Sequence, residues 1–116
     1  MDGTVDIPKR HWSRYLDGIS RTMANADLSI EVVDEGWPPA VEADRLTLQF
    51  LAYDQRDELF EVAGEPGASH QVHVFHHLVD RPRRIAASRP TATPRRIEIE
   101  GADGLRTVIR LTDPPA

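Results

Sequence analysis

Hydrophobic residues recur at helical spacing only near the start of the chain. Trp12, Leu16, Ile19 and Met23 follow at steps of four, three and four, with Tyr15 beside them, which marks one face of an amphipathic helix. Asp6 stands where it can cap that helix, and Pro8 where a first-turn proline is tolerated. Asn25 is placed to end it in the left-handed conformation. Such a helix needs an apolar surface to lie on.

Beyond it the period drops to two. Leu28, Ile30 and Val32 alternate with Ser29 and Glu31, the pattern of a half-buried strand. A loop over 34–40 is marked by Gly36, Pro38 and Pro39. From Arg45, alternation puts Leu46, Leu48, Phe50 and Ala52 on one face and Thr47, Gln49 and Leu51 on the other. Positions 54–57 read as a turn and 59–63 as the returning strand of a hairpin. Gly64 opens a further turn over 64–67; 70–79 is β-rich, although its second half also suits a short helix. A strand over 83–88, a loop over 90–94 and a hairpin follow. The hairpin runs from Ile97 and Ile99 to Leu105, Thr107, Ile109 and Leu111, with Gly104 in the left-handed bulge position. The predicted fold is α+β: an N-terminal amphipathic helix packed on a mostly antiparallel sheet of about six or seven strands. The helix should cover the face carrying Leu46, Leu48 and Phe50.

Composition narrows the picture. A chain of 116 residues with 40% hydrophobic and 28% charged side chains reads as a single domain over 1–116, its ordered core over about 7–112 and its termini flexible. With no cysteine, disulfides, thiol catalysis and iron–sulfur chemistry are excluded. Apolar runs fall short of the ~20 residues of a membrane-spanning helix. Asp2 and Asp6 are foreign to a signal peptide, so the expected location is the cytoplasm. Charge is divided along the chain: residues 1–80 hold 6 basic and 15 acidic side chains, residues 81–116 hold 8 and 4. That division suits either a basic binding face or strands that pair opposite charges across a sheet.

Several short stretches together resemble a known family. They are Ile7-Pro8 with Trp12, Leu46 and Leu48 running into Tyr53-Asp54, and Glu58-Leu59-Phe60-Glu61-Val62. His77 with Pro82 and Ile85, and Ile97-Glu98-Ile99 ahead of Asp103-Gly104, complete the set. In this order and spacing they resemble the bacterial domain-of-unknown-function family 5335, over about residues 7–112. The resemblance implies bacterial origin and a compact domain. It carries no assigned activity and no catalytic residue.

The chemistry-bearing residues fall into four groups. Histidines crowd into 70–77, at His70, His73, His76 and His77. On a helix His73 and His77 would stack as a two-histidine metal clamp; on a strand they are ~13 Å apart and the segment is simply a histidine-rich strand. Arg81, Arg83 and Arg84, with Arg95 and Arg96, would form an anion patch if their loops met at one end of the sheet. Phe75 is the last aromatic, so that half lacks the stacking platform of a nucleic-acid binder, and nucleic acid is not expected as a partner. Carboxylates at Asp54, Asp57, Glu58 and Glu61 surround a polar turn, where solvation is the ordinary reading. Trp37, in its proline-flanked loop, is either a protein contact or a cap folded over the core.

Phosphate-cradling glycine loops, nucleophile elbows and HExxH spacings do not occur. The sequence therefore points away from an enzyme and away from a bound cofactor. It points to a protein-interaction module that binds an unknown protein partner or itself. The alternatives are a small-ligand or metal-binding protein or enzyme using the segment from His70 to His77, and an anion or nucleic-acid binder using the C-terminal arginines.

Overall fold

The computed structural model describes residues 3–34, 36–38, 40–66, 74–88 and 93–112. One helix, α1 (Trp12–Thr22), follows a short strand β1 (Val5–Asp6) and a 3-10 turn (Lys9–His11). Seven strands succeed it: β2 (Asp27–Val33), β3 (Ala40–Asp54), β4 (Leu59–Pro66), β5 (Phe75–Asp80), β6 (Pro82–Ala87), β7 (Arg96–Gly101) and β8 (Arg106–Thr112). All eight join one sheet in the order β1-β6-β7-β8-β2-β3-β4-β5, and every pairing is antiparallel. The expected α+β fold is therefore present. The strand count among the described residues is eight rather than six or seven. β1 accounts for the difference, being two residues long and showing no alternation to read.

The helix buries the predicted face, with Trp12, Leu16, Ile19 and Met23 all within the core. Its start differs from expectation. Asp6 lies in β1 and pairs with Arg84 at 2.6 Å, so it caps nothing; the 3-10 turn leads in, and His11 occupies the cap position without a side-chain bond. Trp12 fixes the entry by donating its Nε1–H to the Ile7 carbonyl at 2.7 Å. Asn25 ends the segment in the left-handed region, φ 67°, as expected. Tyr15 is half-buried against the core, and burial pushes its hydroxyl up to about 12. A raised acid favours its neutral form in the fold, so this contribution is intact below the unfolded value near 10 and is lost as pH rises toward 12. Urea midpoints measured from pH 9 to 12 should fall more steeply for the wild type than for Tyr15→Phe.

Strand β3 does more than alternation predicts. A bulge between Leu48 and Phe50 shifts its register against β4. The faces exchange there: Leu46 and Leu48 stay inside, Leu51 and Tyr53 join them, and Phe50 moves to the outer face beside His76. The expectation that Phe50 faces the helix is thus corrected, since one inserted residue inverts every side chain beyond it. β2 pairs with β3 only as far as Thr47. Past that point α1 takes over the edge. Ser13 Oγ donates to the Tyr53 carbonyl at 3.1 Å; Ser20 Oγ donates to the Leu51 carbonyl and accepts from the Leu51 N–H, both at 2.9 Å. These bonds satisfy a strand edge that would otherwise be bare.

Gly64 is inside β4, not in a turn. A Cβ there would stand 2.9 Å from Leu28 Cδ2 and 3.0 Å from Leu46 Cβ, so the neighbouring strands pack directly on its backbone. The segment 75–80 is strand, which removes the helical alternative. β5 leads into β6 through Arg81 alone, whose φ of 48° makes the corner and whose N–H reaches the Glu58 carbonyl at 2.7 Å. No helix among the described residues is long and apolar enough to cross a membrane.

Candidate functional site

Three elements meet at one end of the sheet. Val32 lies opposite Thr107 and Val33 opposite Arg106, so the β2–β3 tip runs on past the start of β8, toward the β7–β8 turn. β5 reaches the same turn from the other side. A Cβ on Gly101 would lie 3.2 Å from Val79 Cγ1, which shows how closely β5 approaches. The turn itself is tight: Gly101 N–H donates to the Leu105 carbonyl at 2.9 Å, Gly104 adopts φ 87° as expected, and Asp103 Oδ1 accepts the Leu105 N–H at 3.0 Å.

The β2–β3 tip presents Trp37. Its N–H closes a turn onto the Asp34 carbonyl at 3.0 Å, with Gly36 at φ 88° providing the reversal. Trp37 is 73% exposed and Val41, near the start of β3, 66%. Trp37 therefore does not cap the core; that role belongs to Trp12, which meets Tyr53 edge-on at 5.0 Å.

Between β5 and the β7–β8 turn lies a cleft of about 330 Å³, lined by Val32, His77, Leu78, Val79, Asp80, Asp103, Leu105 and Thr107. β5 ends the sheet, so among the described residues its ladder is satisfied only on the β4 side. His77 faces inward opposite buried Val62, and its Nε2 lies 3.2 Å from Thr107 Oγ1. Thr107 is the buried polar residue at this end, 3% exposed. His76 faces outward, its Nδ1 2.5 Å from Glu61 Oε2. Neighbouring histidines thus serve opposite faces. His73 and His70 lie outside the described residues, and among the described residues no group of three His, Cys, Asp or Glu side chains is placed to hold a metal.

The arginines are separated. Arg84 lies opposite Glu100 and Ala87 opposite Ile97, which puts Arg81, Arg83 and Arg84 at one end of the β6–β7 hairpin and Arg95 and Arg96 at the other. The four-step rise along the strand from Arg96 to Glu100 spans about 13 Å. Many of the basic groups meet carboxylates. Arg84 pairs with Asp6, Arg110 with Glu31 at 3.1 Å, and Arg106 and Arg96 flank Glu98 at 3.4 and 3.9 Å. The divided charge of the sequence is in part cross-strand pairing. Three of the four carboxylates around the β3–β4 turn go to separate partners: Asp54 Oδ1 accepts the N–H groups of Arg56 and Asp57, Glu58 reaches Lys9 at 3.5 Å, and Glu61 holds His76.

The cleft carries no signal in the sequence. Its walls come from β2, β5 and the β7–β8 hairpin, and only the closure of the sheet brings them together.

Comparison with known proteins gives a family and no activity. The family model described as "Family of unknown function (DUF5335)" matches residues 4–116. An uncharacterised protein of Aquifex aeolicus (strain VF5) is 29% identical over 109 residues, covering 93% of this chain and 91% of that relative. No solved structure matches.

Proposed function

The chain belongs to DUF5335, a family of unknown function, and on that footing we propose that it is a non-enzymatic protein-interaction module with Trp37 as its anchor. The exposure of Trp37 carries this reading. A tryptophan 73% open to water on a proline-flanked tip offers a large apolar surface at small ordering cost. Buried tryptophans recur at the centres of interfaces, where a few residues supply most of the affinity. Val41, near the start of β3, is a second exposed apolar side chain on the same hairpin. The partner is another protein or a second copy of this chain.

Panning a random peptide library against the wild type, with Trp37→Ala as the counter-target, tests the reading. Selected peptides should lose at least tenfold in affinity on Trp37→Ala, about 1.4 kcal/mol. Because Trp12 is buried, a blue shift of Trp37 emission on binding reports the contact directly. Peptides that bind both proteins equally, with light scattering that gives both the same mass at every concentration, would overturn the reading.

A further inference from the structure

We propose that the cleft between β5 and the β7–β8 turn receives the side chain of a lysine or arginine presented by the partner protein. This rests on the interaction reading and adds the chemistry of what is bound. Two features of the cleft match that side chain. Val32, Val79 and Leu105 give it apolar walls, and Asp80 and Asp103 give it two carboxylates. A lysine or arginine has the same division, an alkyl stem under a charged head.

Charge selects against other occupants. None of the described residues lining the cleft is a lysine or an arginine. The adjoining counter-charge is Arg81, which pairs with Asp80 at 3.5 Å; both side chains are largely exposed, so the pair is weak and open to exchange. Asp103 uses Oδ1 for the Leu105 N–H and keeps its second oxygen for a ligand. His77 and the buried Thr107 line the same cleft and lie 3.2 Å apart. A volume of about 330 Å³ admits one long side chain; it lies at the low end of small-molecule sites, which run from about 300 to 1,000 Å³.

The test uses Nα-acetyl-lysine methylamide as probe, its norleucine counterpart as control, and amide chemical shifts as readout. The lysine probe should shift the amides of Leu78, Val79, Asp80 and Leu105, bind at least fivefold tighter than the norleucine compound, and weaken as salt is raised. In the double variant Asp80→Asn/Asp103→Asn that preference should vanish. An asparagine at position 103 keeps an oxygen for the Leu105 N–H, so the turn survives the change. Equal binding of the two compounds, an undiminished preference in the double variant, or shifts confined to other regions would each overturn the proposal. Library peptides that lose affinity with Trp37→Ala but not with the double variant would sink the cleft alone and leave the interaction reading standing.

Discussion

Leu16→Ala is expected to destabilise the protein by about 2–5 kcal/mol, the range for deleting a leucine side chain from a close-packed core. Leu16 has no measurable exposure and lies mid-helix, between Trp12 and Ile19 on the buried face. Its removal leaves a void lined by α1 and by the inner face of β3, and a helix tied to that strand by hydrogen bonds cannot settle far into it. Domains of this size have total stabilities of about 5–15 kcal/mol, so the variant should lose a large part of its margin. Urea unfolding followed by circular dichroism measures the loss. The midpoint should fall with little change in slope. A cost below about 0.5 kcal/mol, the level of ordinary surface positions, would remove α1 from the core.

Ser20→Ala should cost about 1–3 kcal/mol, the penalty for leaving a buried backbone donor without a partner. This is much more than serine to alanine usually costs within a helix, where alanine is the better former. The difference comes from Leu51, whose N–H and carbonyl both engage the Ser20 hydroxyl. Ser13→Ala is the internal control. Ser13 only donates to the Tyr53 carbonyl, and a carbonyl tolerates incomplete pairing better than an N–H does. Ser20→Ala should therefore be the more damaging of the two by denaturant midpoint. If Ser20→Ala stabilises the protein, as propensity alone predicts, the helix does not serve as the second partner of β3.

The pair Leu16 and Ser20 also shows what is legible in the sequence. Leu16 belongs to a repeating apolar spacing, and repetition is what periodicity detects. Ser20 is one polar residue on a helix, with nothing local to reveal that a strand edge lies against it. Phe50 misleads for a related reason. The rule of two holds only while the ladder is regular, and the bulge between Leu48 and Phe50 shows in the pairing with β4, which alternation along β3 does not contain. Gly64 reads as a turn because glycine usually marks one, whereas here Leu28 and Leu46 require its missing side chain. Trp37 stands out as a candidate contact because tryptophan among prolines is conspicuous, although its exposure has to come from the fold. The cleft at His77 is invisible for the opposite reason, since the residues that form it lie from Val32 to Thr107 along the chain.

The pairing of β8 with β2 has a kinetic consequence. β2 through β5 form one meander and β6 through β8 another, and the long ladder between the two meanders joins Asp27 to Thr112. That contact closes a loop of most of the chain, and loop-closure entropy must be met before its bonds return anything. Folding should accordingly be slow for so small a protein, in the millisecond-to-second range of strand-rich domains with distant contacts. During synthesis, β2 has β3 on one side and an unpaired edge on the other until β8 has left the ribosome. For that interval the chain carries an open strand edge, and it is then most exposed to pairing with a neighbouring nascent copy.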